Sequence, residues 1–281
     1  MNKITFDTLI EKKKRSVPIT LLTAYSFPLA SIIDSAGIDI ILVGDSVANT
    51  ELGLESTRSV TMCEMIHHTK AVRRGVKNAL LVGDMPYESY QLDPSDALNN
   101  AKRFVEEAGC DAVKLEWFEK CTDVAETILK AGIPVMGHIG LTPQTADKIG
   151  GFKVQGQDAE RASQLIEQAL CLEGIGVFSL ILECMPSILS CIITKKLKIP
   201  TIGIGAGSDC DGQALVTHDI LGLIRGRKKP KFVKEYADIY SVIESAVTAY
   251  KKDVQGKTFP SVDHSYLMKN EEAKRLVDNY K

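Results

Sequence analysis

The apolar run Ile40-Ile41-Leu42-Val43 stops abruptly at Gly44, Asp45 and Ser46, and three later stretches repeat that design. They are residues 79–84 (ALLVGD), 112–116 (AVKLE) and 177–183 (VFSLILE). Continuous apolar runs of this length are the mark of parallel strands covered on both faces. Burying them gains roughly 25 cal/mol per Å² of apolar surface, a gain that a terminal acid does not share. Asp45, Asp84, Glu116 and Glu183 therefore need a reason other than packing, and four such strand ends point to one shared site.

The spacing of the remaining elements sets the architecture. Residues 1–16 read as a short helix and a charged turn, and 17–25 (VPITLLTAY) as a first strand. Leu29, Ile32, Ile33 and Ala36 recur at helical spacing, with Gly37 as a cap. Thr61 and Glu64 form a capping box for a helix reaching about Gly75. Asp93-Pro94 opens another, with Ala97, Ala101, Phe104, Val105 and Ala108 as its apolar stripe. Further strands are expected at 134–140 (PVMGHIG) and 200–207 (PTIGIGAG), and a weak eighth at 220–224, with Asp211 capping the helix before it. Residues 141–158 lack periodicity and exceed an ordinary connection, a length more often found in functional or mobile loops.

Strands alternating with helices eight times predict a (β/α)8 TIM barrel. The competing doubly wound sheet would place a GxGxxG after its first strand, and none stands there. The expected organisation is one domain over 1–281, with an N-terminal helix and a C-terminal helical extension ending in the amphipathic KNEEAKRLVDNYK. A net charge of −2 gives no basic footprint for nucleic acid, and no run approaches the ~20 apolar residues that span a membrane. The basic run Arg225-Gly226-Arg227-Lys228-Lys229 reads as a solvated loop. Seven cysteines without a CxxC pair, several inside apolar patterns, read as reduced buried thiols of a cytoplasmic protein.

In a barrel, strand C-termini carry the catalytic groups. Side chains alternate along a strand, so Lys114 shares the inward face of Glu116. Three carboxylates converging in such a mouth would repel, and a divalent cation relieves them. Oxygen ligands select hard Mg2+. No histidine pair has a zinc spacing, and His138 is either a ligand-binding group or a satisfied core residue. The glycines of 203–207 suit a phosphate cup or the close approach of a flat ligand. A cation, a lysine and a free acid suit enolate chemistry on a 2-oxo acid, with Glu183 removing the α-proton.

The segments LTAYSFPLA, ILVGDS, HHTKAVRRG, LLVGDMP, AVKLE, GHIGLTPQ, GGFKVQG, LILECMP, IGIGAG, DGQALVTHD and PKF, in this order, resemble the ketopantoate hydroxymethyltransferase family over nearly the whole chain. The resemblance implies a barrel of the phosphoenolpyruvate/pyruvate class assembled as a homo-oligomer, typically a decamer. It implies transfer of a hydroxymethyl group from 5,10-methylenetetrahydrofolate to 3-methyl-2-oxobutanoate through a magnesium-stabilised enolate. By position, Asp45, Asp84 and Glu116 are the implied magnesium-site carboxylates. Gly44, Asp45, Ser46, Asp84 and Lys114 are the implied 2-oxo-acid contacts, and Glu183 the base. The 141–158 loop and the glycine-rich exit would help to enclose the folate.

The chain departs from the family pattern at Ala48, where glycine is common, before Val60, where proline is common, and beyond about residue 267. A lyase or mutase of the same barrel class would carry a reactive cysteine after its fifth strand, where this chain has LTPQ. A non-catalytic barrel would have no need of four acids and a lysine at strand ends.

Overall fold

Each strand hydrogen-bonds the next in parallel, and the eighth returns to the first, so the sheet closes without an edge. The computed structural model describes residues 3–226 and 229–280. The strands are β1 (Ile19–Thr23), β2 (Ile40–Val43), β3 (Leu80–Asp84), β4 (Ala112–Glu116), β5 (Val135–Gly140), β6 (Ser179–Glu183), β7 (Thr201–Ile204) and β8 (Gly212–Leu215). Parallel neighbours need crossovers, and helices supply them. They are α2 (Phe27–Ser35), α3 and α4 (Val47–Thr50 and Met62–Gly75), α5 (Pro94–Lys102), α6 (Cys121–Lys130), α7 (Ala159–Ile175) and α8 (Ser187–Lys196). The expected capping box of α4 is formed by Thr61 and Glu64, and Asp93 caps α5 just ahead of Pro94.

The two-residue alternation of the strands divides the core into two layers. Ile19, Leu21, Ile40, Leu42, Leu80, Val82, Ala112, Met136, Ile181, Ile202 and Ala214 fill the interior, joined from below by Leu9 of α1 (Phe6–Lys14). The larger layer, between the sheet and the helices, takes the alternate residues, such as Ile41, Leu81, Val113 and Leu180, with Phe104 and Leu172 packed on them from outside. The same parity carried upward aims Asp84, Lys114, Glu116, His138 and Glu183 into the barrel.

Four expectations change. The eighth strand is Gly212–Leu215; of 220–224, Ile220 ends the short α9 (Thr217–Ile220) and 221–222 form the turn after it. Gly212 fits there because a Cβ would stand 2.4 Å from the Ile19 carbonyl oxygen of β1. Asp211 caps no helix: its carboxylate accepts from the Thr201 backbone N–H and hydroxyl and pairs with Lys13 at 2.7 Å. On α2, Ala30 and Ile33 are buried while Ile32 and Ala36 face outward, so the buried stripe lies on a neighbouring face of the helix. The 141–158 segment is ordered by a helical turn over Pro143–Ile149. All seven cysteines are free, and Cys63 and Cys171 are exposed.

Beyond the barrel, α10 (Ile239–Gln255) and α11 (Asn270–Asn279) bury no residue, and Val242, Val247 and Tyr250 of α10 are exposed. Of the basic run, Arg225 pairs with Asp238 and Lys229 with Glu235, while Arg227 and Lys228 lie outside the described residues.

Candidate active site

Interior parity brings five ionisable or polar side chains to one end of the barrel. Asp84 and Lys114 are register partners on β3 and β4, and Glu116 and His138 are partners on β4 and β5. Lys114 Nζ donates to Asp84 Oδ1 at 2.7 Å and lies 3.8 Å from Glu116 Oε1. Asp84 Oδ2 accepts the Asp45 backbone N–H at 3.1 Å, which ties β3 to the exit of β2. His138 stands between two acids, with Nδ1 at 3.6 Å from Glu116 and Nε2 at 3.2 Å from Glu183. Asp45, Asp84, Lys114, Glu116 and His138 are all buried, and Glu183 is nearly so.

The expected residues Asp45, Asp84, Lys114, Glu116 and Glu183 are therefore gathered in one mouth. Gly44 has the interior parity of Ile40 and Leu42, and a Cβ there would stand 2.8 Å from Ser46 Oγ and 3.8 Å from Asp84 Oδ2. Its missing side chain leaves that corner open to a ligand. Ser46 sits at the rim, its hydroxyl 2.7 Å from the buried Tyr25 hydroxyl. The glycines of 203–207 do not form a cup. Cys210, Phe232 and Ser187 pack on Gly203, Gly205 and Gly207 within 3 Å of where a Cβ would stand.

One central residue had no signal in the sequence. Gln144 is fully buried in the turn after β5. Its amide donates to Asp45 Oδ2 at 3.1 Å and to the Met85 carbonyl oxygen at 3.0 Å, and its backbone N–H donates to Glu116 Oε2. Its own carbonyl oxygen accepts from the Tyr90 hydroxyl. Gly140 makes this turn possible: at φ +98° it adopts a conformation open to glycine, and a Cβ would lie 2.3 Å from the Glu183 carbonyl oxygen. Across from it, Cys184 holds φ +47°, an uncommon angle for a residue with a side chain, directly after Glu183.

Four carboxylates face one ammonium, and the proton equilibria reflect it. Burial pushes Asp84 up to about 7 against the pull of Lys114, and the neighbouring Asp45 adds to the rise. Burial likewise lifts Glu183 to about 8 and Glu116 well above the carboxylate range. Burial alone would lower Lys114, but Asp84 and Glu116 outweigh it and hold the ammonium charged. Burial and Lys114 keep His138 neutral, and neither ring nitrogen has a hydrogen-bond partner of good geometry.

Such a cluster has a surplus of negative charge that a cation would neutralise. The donors are oxygens, which suits a hard divalent ion, and Asp45 Oδ1 accepts no protein hydrogen bond among the described residues. No three His, Cys, Asp or Glu side chains among the described residues stand close enough to cage a metal.

Comparison with known proteins gives three findings. A family model described as ketopantoate hydroxymethyltransferase matches residues 3–262. A 3-methyl-2-oxobutanoate hydroxymethyltransferase of Syntrophomonas wolfei subsp. wolfei is 50% identical over 276 residues, covering 98% of this chain and 100% of that protein. Two solved structures share the barrel at low identity. Phosphonopyruvate hydrolase in complex with oxalate and Mg2+ gives a TM-score of 0.59 at 13% identity, covering 99% of each chain. The 2,3-dimethylmalate lyase, of the PEP mutase/isocitrate lyase superfamily, gives 0.56 at 11%, covering 98% of this chain and 99% of that one.

Proposed function

The chain belongs to the ketopantoate hydroxymethyltransferase family, and from that membership we infer that it makes 2-dehydropantoate from 3-methyl-2-oxobutanoate in pantothenate biosynthesis. The one-carbon donor is 5,10-methylenetetrahydrofolate, whose methylene carbon becomes bonded to C3 of the oxo acid. The observation that carries this reading is the buried Lys114 set between Asp84 and Glu116, with Glu183 facing the same space. A 2-oxo acid brings an anionic carboxylate and a carbonyl that gains negative charge when C3 is deprotonated, and this geometry serves both.

In the mechanism, Lys114 and the Ser46 hydroxyl hold the substrate carboxylate, and Gly44 lets the substrate approach the backbone between them. Asp45, Asp84 and Glu116 would hold Mg2+. Bound there, Mg2+ would supply Lewis acidity that makes the C3–H bond more acidic. Glu183 takes that proton: its burial makes it a stronger base than an exposed glutamate, and a base matched to neutral pH is the more effective. His138, neutral and 3.2 Å away, stands ready to hydrogen-bond the Glu183 carboxyl. C3 then bonds to the methylene carbon as its bond to one folate nitrogen breaks, water displaces the second nitrogen and supplies the hydroxyl oxygen, and the proton taken from C3 and the one released by water end on the two nitrogens. The turn carrying Gln144 closes one side of the mouth and limits solvent there.

Assembly into a homo-oligomer, a decamer as in the family, is part of the same proposal. The exposed apolar residues of α10 support it, since such a face is stabilised by a covering partner. The protein is proposed to act in the cytoplasm, and no helix among the described residues is long and apolar enough to cross a membrane. The decisive assay combines purified protein, Mg2+, 3-methyl-2-oxobutanoate and 5,10-methylenetetrahydrofolate, and follows 2-dehydropantoate by NMR. Folded protein that exchanges the C3 proton yet forms no product would overturn the transfer, and absence of both would overturn the whole reading.

A further inference from the structure

A cavity of about 390 Å³ opens on the same face of the barrel, between the loops that leave β3, β4 and β5 and the first turns of α7. It shares its wall with the acid cluster. Tyr90, Glu116 and Gln144 belong to the cluster, and the next residue of each, Gln91, Trp117 and Thr145, lines the cavity. One residue step, about 3.8 Å of backbone, separates the two at all three points. A ligand could therefore lie in the cavity with one end over the carboxylates.

The lining has three chemistries that belong together. Trp117 and Phe118 are half-buried and give flat aromatic surface, with Phe118 held edge-on by Tyr90 at 5.4 Å. Lys120, Lys148 and Arg161 bring three positive charges against one carboxylate, Glu119. None of these three cations forms an ion pair with an acid among the described residues: Arg161 donates to Gln164 Oε1 at 2.9 Å, and Lys148 Nζ stands 6.0 Å from the centre of the Tyr87 ring. Finally, the buried Gln91 Nε2 has no acceptor of good geometry, with the Tyr90 hydroxyl as its neighbour. An unsatisfied buried amide costs on the order of 1–3 kcal/mol, which a ligand carbonyl would recover.

A matching ligand has a flat ring, an amide carbonyl beside it and carboxylates beyond. We propose that this cavity binds the p-aminobenzoyl-glutamate portion of the folate co-substrate. The benzoyl ring lies on Trp117 and Phe118, the amide carbonyl accepts from Gln91, and the glutamate carboxylates meet Lys120, Lys148 and Arg161. The pterin and the reactive methylene then project over Glu183 and the acid cluster. This assignment rests on the transfer reaction inferred above. It gives the three cations beside the aromatic wall their acidic partners, because the glutamate carboxylates arrive with the substrate.

Trp117 is the one tryptophan of the chain, so its fluorescence reports on this cavity directly. Titration of the full-length protein with p-aminobenzoyl-L-glutamate should change that emission saturably, and the doubly substituted K148E/R161E protein should bind at least about tenfold more weakly, as expected for losing charge-assisted hydrogen bonds. In turnover, the same variant should raise KM for 5,10-methylenetetrahydrofolate about tenfold or more, with KM for the oxo acid and C3-proton exchange within about twofold of the parent. An unchanged folate KM, or a Trp117 signal indifferent to the probe, overturns the assignment while leaving the transfer reaction intact. A parent protein that makes no 2-dehydropantoate fails the earlier reading instead. ATP is the control for another flat anionic ligand: tighter binding of ATP than of the benzoyl-glutamate probe would also overturn the proposal.

Discussion

Replacing Glu183 with glutamine should stabilise the protein while disabling it, and the size of the gain should depend on pH in a calculable way. Burial lifts the Glu183 carboxyl from 4.5 to about 8. An acid whose folded pKa exceeds its unfolded one holds its proton more tightly in the fold. Its contribution is therefore intact below pH 4.5 and is lost as pH rises towards 8, because folding must then pay to keep the proton on or to bury the charge. Linkage with these two values gives a penalty of about 1 kcal/mol at pH 5, about 2 at pH 6 and about 4 at pH 8. Glutamine occupies the same space and does not titrate. Urea unfolding without Mg2+, at one protein concentration, should find Glu183→Gln more stable than the parent by a margin that widens by about 3 kcal/mol between pH 5 and pH 8. In parallel, NMR should find exchange of the C3 proton of 3-methyl-2-oxobutanoate slowed by about 10²–10⁴, the usual contribution of a general base, with oxo-acid affinity nearly unchanged. Parallel unfolding curves at the two pH values would refute the buried-carboxyl argument. Persistent exchange would assign the proton transfer to another group.

Lys114→Met leaves Asp84 and Glu116 without their shared ammonium. It should cost about 3–5 kcal/mol at pH 8 and clearly less at pH 5, where the acids are protonated, as read by urea midpoints. Asp84→Asn should remove much of the Mg2+-dependent binding of the oxo acid, measured by calorimetry with and without the metal; superimposable titrations would take Asp84 out of the cation site. Gln144→Ala deletes the donor to Asp45 and the acceptor for Tyr90, and should lower stability by about 1–3 kcal/mol and slow turnover. Asp211→Asn, at the opposite end of the barrel, should lower stability through its contacts with Thr201 and Lys13 but leave both KM values unchanged.

The strands that the sequence announces are those buried on both faces. ILVGD, LLVGD, AVKLE and SLILE are continuous apolar runs because interior and exterior layers both exclude water, and the polar residue that ends each run stands out for the same reason. The eighth strand obeys a different constraint. Gly212-Gln213-Ala214-Leu215 starts with a glycine pressed against β1 and exposes Gln213, so it has no apolar run to read, while the apolar residues of 220–224 fall at the end of α9 and beyond it. Gln144 was hidden for a related reason. A neutral amide in a loop leaves no periodic trace, and its importance arises only when Gly140 bends the chain back over Asp45 and Glu116. The acids were legible because a charge at the end of a buried strand is anomalous in one dimension; the groups that orient them are anomalous only in three.

That contrast divides the barrel into two ends with opposite energetics. At the C-terminal mouth, Asp84, Glu116 and Glu183 hold proton affinities raised by burial, His138 keeps two unpartnered ring nitrogens, and Cys184 sits at positive φ. Each feature destabilises the fold; the buried acids and the unpartnered ring nitrogens are relieved by a cation, a substrate oxygen or a proton, whereas the backbone at Cys184 is not. At the N-terminal end, α1 inserts Leu9 beneath the interior layer and ties the strands with Lys12 to Asp39 and Lys13 to Asp211, interactions that need no ligand. Changes at the lower end should therefore move stability and leave chemistry alone. Neutral, isosteric changes at the acids of the mouth, of which Glu183→Gln is the clearest, should move the two in opposite directions. A mouth built only for packing would instead lose stability at every such substitution, so the sign of that one stability change discriminates a site poised for charge from an ordinary buried core.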